Sequence, residues 1–314
     1  MRTPSPPAGK GRLTRFQQRT RRILHVKRAR HLTQLAVAVV IVVAAVRHQV
    51  EKNSGAASVD ALCPFGAMET LVTWLTTGAL ITKIHPSNFV LGIALLAATL
   101  LVGNAFCGWI CPFGTVQDAL TWVRRKLNLP SLTVPRRLDG ALRWGRFVVL
   151  AVILYFSYTT ATLWFADYDP YVALFGLHWL FEPDNPTLWI SLSILGVVLV
   201  ASLLVERAWC RYLCPLGGVL SVLSRFSLLR IRRAPTTCTD CSLCDKACPV
   251  GIEPSKAAPM VSPDCIGCMD CVTTCPVRGA LGVHAPVLLG TPIRIDADGE
   301  AGERRPATAG KGKR

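Results

Sequence analysis

The chain has 314 residues, 51% of them hydrophobic and only 17% charged, with 35 Lys and Arg against 19 Asp and Glu for a net charge of +16. A soluble domain would carry about 25% charged residues, so a mean hydropathy of +0.38 excludes a wholly water-exposed globule and puts part of the chain in lipid. The 13 cysteines set against 4 methionines direct attention to thiolate chemistry. No phosphate-binding glycine loop, dinucleotide fingerprint or hydrolase elbow stands in a fitting context, and no nucleic-acid partner is expected.

In chain order, residues 1–31 form a basic tail with Arg2, Lys10, Arg12, Arg15, Arg19, Arg21, Arg22, Lys27, Arg28 and Arg30. Four apolar stretches follow as candidate membrane spans, at about 32–50, 88–106, 147–166 and 187–205, each near the ~20 residues that cross the hydrocarbon core. The first has an unbroken apolar run only over Leu35–Val46. A cleaved signal peptide is the alternative there, but its basic region is too long and no clean cleavage site follows. Ala67–Ile84 carries Thr73, Thr76, Thr77 and Lys83, which predicts an interfacial or re-entrant helix on the outer face rather than a fifth span. The connection after the second span holds Arg124, Arg125, Lys126, Arg136, Arg137, Arg143 and Arg146, whereas the loop between the third and fourth has Asp167, Asp169, Glu182 and Asp184 and no basic residue. By the positive-inside rule both termini lie in the cytoplasm, and the chain is a multi-pass protein of a bacterial-type cytoplasmic membrane.

The membrane part, 32–233, reads twice. Cys107-Gly-Trp-Ile-Cys111-Pro112 in the first half matches Cys210-Arg-Tyr-Leu-Cys214-Pro215 in the second, which predicts a 2+2 tandem repeat with its functional site between the halves. Residues four apart share a helix face, so Cys107 and Cys111 are expected one turn apart, as are Cys210 and Cys214, and four thiols converge near the inner surface. Such a set suits a third iron–sulfur cluster, Cu(I) or zinc, a redox-active thiol pair, or close packing of helix ends by small residues. Cys63-Pro64-Phe65 corresponds to Asp169-Pro170-Tyr171 in the second half. Both are read as helix starts with proline in the first turn, and Cys63 is not counted as a ligand.

Residues 234–284 contain Cys238-x-x-Cys241-x-x-Cys244-x-x-x-Cys248-Pro249 and Cys265-x-x-Cys268-x-x-Cys271-x-x-x-Cys275-Pro276. In this run three thiolates hold one cubane and the fourth, before proline, ligates the other. The predicted sets are Cys238, Cys241, Cys244 and Cys275 for one [4Fe–4S] cluster, and Cys265, Cys268, Cys271 and Cys248 for the second. Zinc sites pair two C-x-x-C units across a longer loop, and disulfide frameworks belong to small secreted domains. Residues 285–314 are poor in apolar content and are expected to stay disordered. The fold class is thus an α-helical membrane protein of four transmembrane helices with a C-terminal α+β ferredoxin-like two-cluster domain. His85, His178, Asp167 and Asp169 are the candidate proton acceptors on the outer side.

The spans, the two C-x-x-x-C-P motifs and the closing two-cluster domain resemble the membrane polyferredoxin family that includes NapH, the C-terminal membrane part of NosR, and CcoG. The likeness covers about residues 32–280; Cys63-Pro64-Phe65-Gly66 and His85-Pro86-Ser87-Asn88 look most like the NosR type. The resemblance implies a quinol dehydrogenase component that takes electrons from the membrane quinone pool and relays them through its clusters to another redox protein, of ferredoxin or cytochrome type. The CcoG likeness allows a second reading, a metallocentre-assembly protein that reduces or handles copper for a respiratory oxidase. A cluster-bearing redox sensor is the third.

Overall fold

Helix α1, Arg15–Val50, begins well inside the basic tail and runs for 36 residues, about 54 Å at the α-helical rise. The computed structural model describes residues 15–50, 63, 65–70, 86–160, 164–181, 187–257, 261–277, 279–284 and 294–295. After α1 come the short helix α2 (65–70), α3 (Pro86–Val102), α4 (Ala105–Trp109), α5 (Pro112–Lys126), α6 (Arg136–Leu142) and α7 (Gly145–Thr160). The second half has α8 (Pro170–Phe175), α9 (His178–Phe181), α10 (Leu188–Leu204), a π-helical turn (Trp209–Leu213) and α11 (Pro215–Leu223). Among the described residues two stretches are long and apolar enough to cross a membrane, His25–Val50 and Arg136–Thr160, against the four expected, while the apolar helices Val90–Val102 and Leu188–Leu204 are shorter.

The helices pack pairwise: α1 on α5, α10 on α5 and α8, α11 on α7 and α3. Their shared core includes Ile41, Leu95, Phe113, Ile153, Val198 and Leu220. Outside it, Val39, Val40, Val148, Trp189, Val197 and Val200 are exposed, giving the bundle an apolar outer surface. Small polar groups inside are satisfied locally; Thr99 Oγ1 donates to the Leu95 carbonyl at 2.8 Å.

The C-terminal part is built on β1 (Arg230–Arg233), β2 (Leu281–His284) and β3 (Arg294–Ile295), antiparallel in the order β1-β2-β3 with Ile231 opposite Val283 and Val283 opposite Ile295. Two one-turn helices, α12 (Leu243–Lys246) and α13 (Asp270–Thr274), pack against each other beside it. A second core gathers Ile231, Val250, Ile252, Val261, Ile266 and Val272.

Several expectations change. Residues 15–31 extend α1, and Arg30, counted above only as a topology charge, is buried. The second apolar stretch ends at Gly103, whose φ of +67° is open to glycine and strained for other residues, so α3 and α4 are separate helices. The sheet draws in Arg230–Arg233 ahead of 234 and residues 294–295 beyond 284, and Ile231 of the first of these belongs to the core of the domain. Residues 71–84 of the expected interfacial helix, and His85, lie outside the described residues.

Candidate metal centre

The second cysteine of each C-x-x-x-C-P motif is not on the helix of the first. Cys107 belongs to α4 and Cys210 to the π turn, but Cys111 (ψ 115°) and Cys214 (ψ 112°) are extended N-cap residues of α5 and α11. The cause is local: proline disfavours helical backbone at the residue before it and is well suited to the first turn of the helix it begins. The Gly217 N–H donates to Cys214 Sγ at 3.4 Å, and that of Gly114 reaches Cys111 in the same way. Each sulfur therefore rests on a helix N-terminus, whose free N–H groups favour negative charge.

The four thiols lie close enough to act on one another: Cys214 feels Cys210, Cys107 and Cys111, Cys107 feels Cys111 and Cys210, and Cys111 feels Cys210. Burial pushes Cys111 up to about 12, with Cys210 adding repulsion, and raises Cys107 and Cys214 well above the ordinary thiol value. Four thiolates here need a compensating cation, and by chemistry, though not by a closed single-ion geometry, the donor types are those of a thiophilic or iron–sulfur centre. Gln117, fully buried, donates from Nε2 to Cys210 Sγ at 3.0 Å and receives the Ser202 hydroxyl at 3.2 Å.

Beside the thiols stands an ion network that the charge pattern did not disclose. Arg207, with no exposed surface and a left-handed φ of 53°, donates through Nε and Nη2 to Asp118 at 2.8 and 2.7 Å and through Nη1 to the Cys107 carbonyl at 2.8 Å. Arg30 bridges Asp118 at 2.9 Å and Asp270 at 2.7 Å, and Gln34 reaches both the Gly108 carbonyl and Asp118 at 3.1 Å. Burial alone would raise Asp118, but Arg207 and Arg30 hold it down at about 2. A retrospective signal existed: Asp118 and Asp139 are the sole acids between Cys107 and Arg146, in a segment otherwise full of arginine.

In the C-terminal domain Cys238, Cys241, Cys244 and Cys275 line one small cavity. Cys265, Cys268, Cys271 and Cys248 face one another in the second core, Cys271 feeling the other three. The loops are duplicated in backbone as well as sequence: Asp240 and Ser242 flank Cys241 with φ of 51° and 54°, and Gly267 and Met269 flank Cys268 with φ of 62° and 64°. Left-handed residues in such turns aim successive N–H groups inward. Cys248 receives those of Val250, Gly251 and Ile252, and Cys265 that of Gly267. These donors suit anionic clusters held by thiolates. Among the described residues no three His, Cys, Asp or Glu side chains close on a point fit for a single ion.

Docking of this domain on the bundle is close and polar. Trp109 Nε1 donates to the Gly267 carbonyl at 3.0 Å, Asn104 and Ser224 to that of Pro263 at 3.0 and 2.6 Å, and Arg143 and Arg146 pair with Asp264 at 3.1 and 2.6 Å. Cys107 packs against both hydrophobic cores. The Cys265–Cys271 loop thus lies against α4 and its Cys107, whereas Cys241 is exposed on the domain surface.

Of the candidate proton acceptors, Asp169 is buried at the N-cap of α8 and accepts the Tyr171 N–H at 2.9 Å and the Cys63 thiol at 3.7 Å. Asp167 is exposed, His178 opens α9, and His85 is not among the described residues. One group went unnoticed in the sequence. Glu69 of α2 is buried, accepts the Ser157 hydroxyl of α7 at 2.7 Å, and is lifted to about 7 chiefly by burial, with Asp169 adding repulsion.

A helical bundle with four neighbouring thiols, one of them packed against a duplicated cysteine-loop domain, defines a class of ferredoxin-type proteins built on helices. A 4Fe-4S binding domain model matches residues 84–130 and again 187–234, one copy in each half, and a 4Fe-4S dicluster domain model matches 230–276. The putative electron transport protein YccM of Escherichia coli is 31% identical over 71% of this chain and 62% of its own length. An uncharacterized protein of Methanocaldococcus jannaschii is 31% identical over 68% of this chain and 83% of its own. The ferredoxin-type protein NapH of Haemophilus influenzae is 31% identical over 58% and 63%. The chain belongs to this ferredoxin-type 4Fe-4S binding family. It spans less than two thirds of YccM and of NapH, and no solved structure matches it.

Proposed function

We propose that the chain is a multi-pass membrane electron carrier that takes electrons from quinol and passes them through the four-thiol centre and two [4Fe–4S] clusters to a redox protein in the cytoplasm. The single observation that carries this reading is the position of Cys107, packed at once against the bundle core and against the loop of Cys265 and Cys268. That contact supports an order: thiols, then the cluster of Cys265, Cys268, Cys271 and Cys248, then the cluster of Cys238, Cys241, Cys244 and Cys275, whose exposed Cys241 faces a partner. In this scheme α1, α3, α7 and α10 are the four spans, and both termini are cytoplasmic, as the arginine distribution directs. The two shorter spans suffice in such a bundle because a short helix is accommodated by local thinning and by its flanking residues.

When bound, the clusters supply one-electron acceptors. The chain's own part is to hold them at fixed separation, which the Trp109, Asn104, Arg143 and Arg146 contacts do, and to balance their charge, which falls to Arg30 and Arg207. Iron and copper counts on anaerobically purified protein, with spectra before and after a quinol analogue, test the reading. About eight irons mean two clusters and about twelve a third at the membrane thiols, with prompt bleaching by quinol expected. Colourless, iron-free protein, or clusters that quinol leaves oxidised, overturns it. Copper retained by the protein and lost in Cys107→Ser and Cys210→Ser supports the copper-handling reading instead.

A further inference from the structure

A cavity of about 250 Å³ opens in the bundle between α1 and the α3–α4 pair, and its two ends differ chemically. Cys111, Cys210 and Cys214 line one end and Cys63 and Asp169 the other, while the walls are apolar, among them Ile41, Phe65, Phe113 and Phe165. Val40 and Ile110 belong both to its lining and to the exposed apolar exterior. The mouth therefore faces the hydrocarbon side, so an occupant arrives from the membrane rather than from water. Apolar walls with a few convergent polar groups are what ligand sites offer, and a lone metal ion would find no donors along them.

We propose that this cavity seats the ring of a membrane quinol, with Asp169 and, behind it, Glu69 as the groups that accept its protons. The inference rests on the quinol reading above and adds the place and the residues. The chemistry balances: the ring loses two O–H bonds, one proton goes to each carboxylate, and the two electrons go one each to the two oxidised [4Fe–4S] clusters. The ring is oxidised to the quinone. Asp169 lines the cavity and carries the first transfer. Glu69 lies close enough to feel the charge of Asp169 and is held by the Ser157 hydroxyl. Its ordinary carboxylate value is raised to about 7 by burial and by Asp169, so it takes up a proton near neutrality. Both groups sit toward the Gln49 end of α1, where Gln49 Nε2 donates to the Gly176 carbonyl at 2.8 Å, whereas Arg30 at the other end holds Asp270. Protons and electrons thus leave the ring in opposite directions.

The test uses the full chain with its clusters in lipid nanodiscs and decylubiquinone as the probe. Trp209 lines the cavity, and quenching of tryptophan fluorescence reports occupancy without turnover. The wild type should bind the probe, Val37→Trp, which fills part of the cavity from its α1 wall, should weaken binding at least tenfold, and Trp209→Phe should remove part of the quench. Asp169→Asn and Glu69→Gln should retain binding and iron content while slowing cluster reduction by reduced decylubiquinone at least tenfold. Visible cluster spectra and circular dichroism confirm that each variant folds. Unchanged binding in Val37→Trp, with quinol still bleaching the clusters, overturns the site but leaves the proposed function standing. Binding lost in Val37→Trp, with wild-type clusters that quinol never reduces, upholds the site and overturns the function. Quenching displaced by phospholipid alone identifies an acyl-chain slot and overturns the inference.

Discussion

Arg207 and Arg30 face Asp118 and Asp270 as two cations against two carboxylates, with all four contacts at 2.7–2.9 Å. Removing one partner of such a buried set leaves an uncompensated charge, at a cost of about 3–5 kcal/mol. Asp118→Asn should therefore lower thermal stability at neutral pH by about that amount. Its pH signature is separate. Asp118 is held at about 2 in the fold against an ordinary value of about 3.9, so its contribution is complete above the ordinary value and disappears as the pH falls through about 2. Acid unfolding followed by circular dichroism should show the wild type losing stability between about pH 4 and pH 2, with that limb flattened in Asp118→Asn. An unchanged acid limb would show that the network is screened by solvent.

At the scale of elements, the junction between α4 and the cysteine loop depends on absent side chains. A Cβ on Gly108 would meet the Ile266 carbonyl, and the left-handed Gly267 rests against Ala105 at 3.3 Å from a Cβ built on it. Backbone meets backbone there, which neither partner can relieve by changing rotamer. Gly108→Val should destabilise the docked domain by about 1–3 kcal/mol, the usual result of overpacking, and limited proteolysis of the connection at residues 234–237 should become faster. The reason the two elements meet was not legible in the sequence. The two C-x-x-x-C-P motifs announced a pair of helix ends, and proline explains why each ends there, but so local a motif says nothing about which loop lies against it.

For the whole molecule, the consequence is a sequence of centres with one inner and one exposed cluster site. Cys268→Ser and Cys241→Ser should each lower iron from about eight to about four per chain. Their kinetics should differ. In Cys241→Ser, quinol should still reduce the remaining inner cluster, whereas in Cys268→Ser the exposed cluster should stay oxidised on the same timescale, as followed by electron paramagnetic resonance. Equal reduction in both variants would mean that the clusters are fed in parallel.

The residue order alone settled that this is a thiolate-rich, helix-anchored chain, because ligand spacing of two and three residues is a local property and apolar runs of some twenty residues are another. It also settled the duplication, since the same pattern appears on either side of residue 147, and the helix start at Asp169, since proline restricts its neighbour wherever it stands. Tertiary structure decided the rest: that Cys107 touches both cores, that Arg30 is a buried clamp instead of a surface charge, and that Glu69 faces Ser157 across 88 residues. These depend on desolvation and on which surfaces meet, and burial of a charge is fixed only when distant segments close over it.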